Sequence, residues 1–388
     1  MSGGGLGGRT AIVGIGSTEF SQDAGRSETR LATEAILTAL ADAGLTTDDV
    51  DGLVSYTIDP VEETELVRAL GIPEIGWSSR VPYGGAGSQG VLLHAAAAVA
   101  SGAADVVVAY RAVRARSGRR FGAARAGGAT SSHSGTTAGQ WCAPYGVLTP
   151  ASWMSLNATR YMHTFGVTNE DFGRAIVGLR AYAATNPAAR FFGRPITLAD
   201  HQASRWIAEP AIRLFDCCQE TDGAIALVIT SADRARDTPA PVTIAAAAGA
   251  ALAGQEIGTD HYSADLSLMT GSAALARKLF DRTGIDRADL DLLMIYDAFT
   301  PVLFMQLEGL GFCAPGEAKD LVAAGVFAPG GSLPLNTNGG LIGEGYIHGL
   351  NLATEAVRQL RGTAANQLDR AELALVSASR TGVVLART

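Results

Sequence analysis

Proton transfer is the chemistry that the most suggestive residues offer. An apolar run, Leu292-Leu293-Met294-Ile295, ends in Tyr296-Asp297-Ala298-Phe299, and a later glycine turn carries Gly345-Tyr346-Ile347-His348-Gly349. A tyrosine hydroxyl both donates and accepts, and its unperturbed pKa is ~10. A tyrosine acting as base at neutral pH therefore needs a lowered pKa or a relay. His348, close beyond Tyr346, is a candidate relay. Standing alone, a tyrosine at a strand end reads as a core or rim aromatic. Other chemistries are less well served. Cys142, Cys217, Cys218 and Cys313 lack zinc-site spacing, and adjacent Cys217-Cys218 do not form an ordinary disulfide. They read as small buried apolar residues, and neither a metal nor a cofactor is expected. The turns Gly84–Ser88 and Gly339–Gly345 fit neither a Walker nor a Rossmann pattern. Close backbone approach to a substrate, with N–H groups as an oxyanion hole, fits them better.

These residues need a large scaffold, and the chain supplies one. Its 388 residues allow two to three domains, and 47% hydrophobic with 18% charged residues is a globular composition. A net charge of −8 speaks against a duplex-coating nucleic-acid protein. The apolar segment from Val91 to Tyr110 is broken by Ser101-Gly102 and Asp105, so no membrane span is expected. No secretory signal is evident, and a cytoplasmic location is expected. Thr10–Gly16 reads as a buried strand, Leu31 to Leu40 as a helix closed at Gly44, and Val50–Val54 as another strand. The phrase Ala43–Tyr56 returns without a gap as Thr283–Tyr296, at an offset of 240 (283 − 43). A second pair repeats glycine turn, helix and strand: Gly84–Ser88 with Gln89–Ala100 and Asp105–Tyr110, against Gly339–Gly345 with Leu350–Leu360 and Leu373–Ser377. This argues for an internal duplication giving layered α/β halves, residues 1–235 and 236–388. A cap insertion, 111–215, is expected to lie over the site. It opens with the most basic stretch of the chain, Arg111, Arg114, Arg116, Arg119, Arg120 and Arg125.

The paired glycine turns, the strand before Asp297-Ala298-Phe299 and the segment Asn336-Thr337-Asn338-Gly339-Gly340 together resemble the thiolase superfamily, in its lipid-transfer branch. The likeness covers nearly the whole chain and implies the thiolase fold. The sequence departs from the superfamily at each catalytic position. Gly84, in Tyr83-Gly84-Gly85-Ala86-Gly87-Ser88, stands where the nucleophilic cysteine would be. Tyr296 precedes the acidic-x-Phe motif, Tyr346 replaces the motif histidine, and Ser377–Gly382 lacks the second cysteine. No thiolate remains to carry an acyl group. Two tyrosines gained at acid–base positions describe a repurposed site, and the whole pattern resembles the actinobacterial steroid side-chain aldolases. That resemblance implies cleavage of a 17-hydroxy steroid acyl-CoA to a 17-ketosteroid and propionyl-CoA. It implies a homodimer with the strand Val106–Ala109 near the two-fold, and an OB-fold/zinc-ribbon partner domain of a hydratase subunit. On this reading Tyr296 and Tyr346 carry the proton transfers, with His348 as relay. Tyr83, Gly84, Asp297, Asn336 and Gly340 then line the substrate, although Asp297 also suits a turn cap. Tyr56, the counterpart of Tyr296 in the first half, is expected to be structural. The arginines from Arg111 to Arg125 read as a solvated face, a CoA phosphate contact or a docking surface. The competing readings are a thiolase with an unrecognised nucleophile and a non-catalytic acyl-CoA- or lipid-binding subunit.

Overall fold

The computed structural model describes residues 6–82, 85–118, 120, 142–253 and 263–388. Tyr83, Gly84, Arg119 and Arg125 lie outside the described residues. The first half contributes strands β1 (Thr10–Ser17), β2 (Gly52–Tyr56), β3 (Trp77–Val81), β4 (Val106–Arg114) and β5 (Asp222–Ser231). The second contributes β6 (Val242–Gly249), β7 (Leu292–Ile295), β8 (Leu373–Ser377) and β9 (Thr381–Arg387). They form one mixed nine-stranded sheet in the order β3-β2-β4-β5-β1-β6-β9-β8-β7. The halves join at β1 and β6, where only Ala11 with Thr243 and Ile12 with Val242 are in register.

Reading outward from that join, β1-β5-β4-β2 and β6-β9-β8-β7 pass through the same pairings, antiparallel, antiparallel, then parallel. The sequence repeat is thus a repeat of topology, with Tyr56 and Tyr296 each ending or following the parallel strand. Helix α1 (Glu28–Ala43) starts at Ser27, whose side chain accepts from the Arg30 amide, and stops at Gly44 in the left-handed region. Its buried stripe of Leu31, Ala32, Ala35, Ile36, Ala39 and Leu40 covers one face of the first-half sheet. Helices α2 (Gly90–Ser101) and α6 (Leu350–Arg361) share the central core with Val107, Ile225 and Leu227 from one half and Met294, Val376 and Leu385 from the other. The outer face of the second half carries α4 (Asn169–Thr185) and α5 (Thr300–Gly309). The layers therefore run helix, sheet, helix, sheet, helix.

Two expectations need correction. Strand β4 runs on to Arg114, so Arg111 belongs to the sheet and not to the insertion. Val106–Ala109 is buried between β2 and β5, with no surface left for a two-fold contact. The strands at the two ends of the sheet, β3 and β7, each have a single strand partner among the described residues. After β4 the insertion supplies α3 (Pro150–Phe165), which starts at Thr149 with a reciprocal cap from Ser152, then α4. Helix α4 presses Ala183 onto the second-half glycine turn: a Cβ at Gly339 would lie 2.5 Å from the Ala183 Cβ. Among the described residues no helix is long and apolar enough to cross a membrane.

Candidate active site

Tyr296 is placed just beyond the end of a buried strand and Tyr346 in the turn that precedes α6, each held through its backbone amide. The Ile295 amide donates to Asn336 Oδ1 (2.7 Å), and Asn336 Nδ2 donates to the Ile295 carbonyl (2.8 Å). This side chain acts as one more strand residue beside β7, and it holds its own backbone at φ +50° to do so. The Tyr296 amide then donates to the Ser377 carbonyl at the end of β8 (2.9 Å). Tyr346 is fixed from the other half, where its amide donates to Thr221 Oγ1 (3.2 Å) and its backbone bridges to Glu220. His348 has φ +51° and Gly349 φ +84°, and this double left-handed turn starts α6. Gly349 has no room for a side chain, because a Cβ would stand 2.8 Å from Tyr296 Cδ2.

The two hydroxyls meet at 2.8 Å, and the rings stand 63° apart with centroids at 6.3 Å. The His348 ring meets Tyr346 edge-on, centroids 4.9 Å apart. Gly85, beside the vacant nucleophile position, faces the pair: a Cβ there would lie 3.0 Å from the Tyr296 hydroxyl. Behind His348 is a group that the sequence reading placed on a solvated face. Arg111 is 1% exposed; its Nε donates to His348 Nδ1 (2.8 Å), and its Nη1 pairs with Asp59 (2.7 Å), itself fully buried. A guanidinium only donates, so Nδ1 is the acceptor and the neutral ring carries its proton on Nε2. The sequence held one signal for Arg111: it is the first break in an otherwise apolar run, Val106-Val107-Val108-Ala109-Tyr110.

Burial governs the ionisation of the site. It raises both tyrosines well above their ordinary value, and the nearness of the other tyrosine raises Tyr296 further. Neither is a tyrosinate at neutral pH. Burial, then the Arg111 charge, pushes His348 well below the ordinary histidine value, so the ring is neutral. Arg111 thus occupies Nδ1 of His348, the expected relay residue, and leaves its Nε2 to carry the proton. Cys218 lies close enough to both tyrosines for its charge to be felt by each, but burial keeps the thiol protonated. Cys217 shifts upward in the same way, and Cys313 is pushed up to about 12.

Asp297, Asn336 and Gly340 are brought together, one shell behind Tyr296. Asp297 Oδ1 accepts from the Leu341 amide (2.8 Å), and burial raises its carboxyl to about 7. Gly340 lies directly over that carboxyl, since a Cβ there would stand 2.1 Å from Oδ2. Its own amide donates to Asn338 Oδ1 (2.9 Å). Tyr56 is fully buried and spends its hydroxyl on the Ser88 carbonyl (2.7 Å), as expected of a structural residue. Thr221 and Glu220, which hold the Tyr346 backbone, were not among the expected site residues, because their contacts are made across the two halves. Among the described residues no group of three or more His, Cys, Asp or Glu side chains is placed to hold a metal ion.

The layered halves define a thiolase-fold protein. The thiolase C-terminal domain-like family matches residues 254–387. The chain is 50% identical to the 17-hydroxy-3-oxo-4-pregnene-20-carboxyl-CoA lyase of Mycobacterium tuberculosis, over 97% of this chain and 98% of that one. It is 49% identical to the steroid side-chain-cleaving aldolase of Thermomonospora curvata, over 97% and 96%. A solved structure described as an Ltp2-ChsH2(DUF35) aldolase superposes with a TM-score of 0.92 at 47% identity, covering 99% of each chain. The chain belongs to the steroid side-chain-cleaving aldolase family, and its activity is that of a carbon–carbon lyase.

Proposed function

We propose that the chain cleaves a 17-hydroxy steroid bearing a C-20 carboxyl-CoA side chain to a 17-ketosteroid and propionyl-CoA, with Tyr296 and Tyr346 moving the proton. The observation that carries this reading is the 2.8 Å contact between two neutral hydroxyls in a site whose nearby thiol is protonated. Retro-aldol cleavage takes the proton from the substrate hydroxyl as the C17–O bond becomes a carbonyl. The C17–C20 bond breaks, and its electron pair passes into the thioester enolate. The enolate carbon then takes a proton. One tyrosine oxygen accepts the hydroxyl proton, and the other tyrosine donates to carbon. The contact between them returns the proton, so neither has to ionise at rest. That answers the difficulty raised by their high pKa values. His348 supplies a donor from Nε2, and Arg111 with Asp59 sets its tautomer. Asn336, Asp297 and Gly340 act through Tyr296 as positioning residues.

The same reading carries the assembly and the location. The DUF35 component named with the similar solved structure supports an OB-fold/zinc-ribbon partner for this chain. The β3 edge supports a homodimer, and two of each chain would make a heterotetramer. A CoA thioester substrate supports a cytoplasmic location. We place the division between the halves at residue 235, with the segment between the end of β4 at Arg114 and residue 215 as the cap. The test is mass spectrometry of products from the steroid β-hydroxyacyl-CoA, with and without the co-expressed partner. A 17-ketosteroid and propionyl-CoA are expected; their absence in both conditions would overturn the reading.

A further inference from the structure

A polar cleft of about 840 Å³ opens beside the Tyr346 turn. One wall is the end of β1 and the loop after it, Ser17 to Gln22; the other is Pro187 to Arg194, with Arg358 of α6 completing it. The cleft abuts the catalytic segment through two contacts. The Arg190 amide donates to the Glu344 carbonyl (2.9 Å). Phe20 packs on Gly345, where a Cβ would lie 3.0 Å from its ring.

Its charges are out of balance. Arg190, Arg194 and Arg358 face it, and the Arg190 Nε is buried with no hydrogen-bond partner among the described residues. Burial and the nearby Arg116 and Arg194 depress the Arg190 pKa, against a smaller opposing pull from Asp222. The carboxylates at hand are committed elsewhere. Glu19 pairs with Arg26. Asp222, at the start of β5, accepts from the Ala24, Arg116 and Ser117 amides and the Ser117 hydroxyl. Glu355 stands 3.9 Å from Arg358, a loose pair. The segment 190–194 is itself stiffened, because Arg180 stacks on the Phe191 ring at 3.7 Å and donates to the Arg194 carbonyl. A partly desolvated guanidinium whose Nε has no partner among the described residues, on a fixed backbone and beside a second one, is a receptor for a phosphate-type anion.

We propose that Arg190 and Arg194 bind phosphate oxygens in this cleft, and that the ligand is the nucleotide end of the CoA thioester. The phosphate chemistry stands on the cleft alone; the choice of CoA rests on the acyl-CoA reading above. The probe is adenosine 3′,5′-bisphosphate, titrated calorimetrically into the full chain. Arg190→Gln and Arg194→Gln should each weaken binding by about tenfold to a hundredfold, the range for hydrogen bonds to charged groups. KM for the acyl-CoA should rise by a similar factor with kcat unchanged, the signature of lost uniform binding. Arg190→Lys keeps the charge without the fork and should fall between, and thermal melts confirm folding. Wild-type affinity in the Arg190→Gln/Arg194→Gln double variant would overturn the site. Binding of the bisphosphate without competition against the acyl-CoA would overturn the CoA assignment. The titration needs no turnover, so failure of the aldolase reading shows separately, as missing cleavage products.

Discussion

At the residue scale, the tyrosine pair makes the sharpest prediction. Tyr296→Phe or Tyr346→Phe removes one hydroxyl, keeps the ring and breaks the 2.8 Å contact. General acid–base help is worth roughly 10²–10⁴-fold, so kcat should fall by that order in either variant while the thermal melt stays cooperative. Cys218→Ala should leave turnover within a few-fold, whereas a folded but dead variant, or a trapped acyl-cysteine, would mean a thiolase-type route. Arg111 gives a second prediction. Arg111→Gln leaves Asp59 charged and buried without its partner, a cost of about 3–5 kcal/mol for broken buried pairs. It also frees His348 Nδ1, so the surviving activity should show a shifted pH–rate profile; an unchanged profile would leave Arg111 with packing alone. The tyrosines were legible because they fall on motif positions. Arg111 was hidden because a buried and an exposed arginine are the same letter, and its partner His348 lies in the other half of the chain.

At the scale of elements, strand β7 ends where Asn336 makes it end. Asn336→Ala deletes two buried hydrogen bonds and leaves the Ile295 amide and carbonyl unpaired on that side. Each orphaned group costs about 1–3 kcal/mol, so a loss of several kcal/mol is expected in denaturant melts. Because Tyr296 is the next residue, kcat should fall as well. Asp297, under the neighbouring turn, carries a pH signature. Its folded pKa, about 7, lies above the unfolded value of 3.8, so the folded state prefers the protonated form. The stability this confers is present below the unfolded value and is lost as pH rises through 7. Asp297→Asn mimics the protonated group, so its melting temperature relative to wild type should rise between pH 4 and pH 8. A flat difference would mean that the carboxyl is not shifted. The strands, α1 and the duplication were readable from apolar runs, glycine stops and the repeated phrase. The boundary at Arg111 was misread because basic residues looked like the start of a surface loop, while pairing of Arg111 with Ile225 and Arg114 with Asp222 extends the strand.

At the scale of the whole molecule, both ends of the sheet determine how copies can meet. The outer side of β7 is closed by its own chain: the Leu293 amide donates to the Pro334 carbonyl, and the Asn336 amide to the Leu293 carbonyl. Strand β3 pairs with β2 alone, and Ser78 on it is exposed. Sedimentation should show a dimer, and Ser78→Lys, an edge charge of the kind that blocks strand addition, should shift it toward monomer. A stable wild-type monomer at micromolar concentration would remove the proposed homodimer. The consequence is one of valence. A unit with two reactive ends grows into a chain, and a unit with one stops after a single coupling. On the proposed homodimer, with one edge stoppered by its own polypeptide and the other pairing with a second copy, the protein would be a monofunctional unit whose strand addition terminates at two copies, which would keep a nine-stranded sheet from becoming the seed of a fibre.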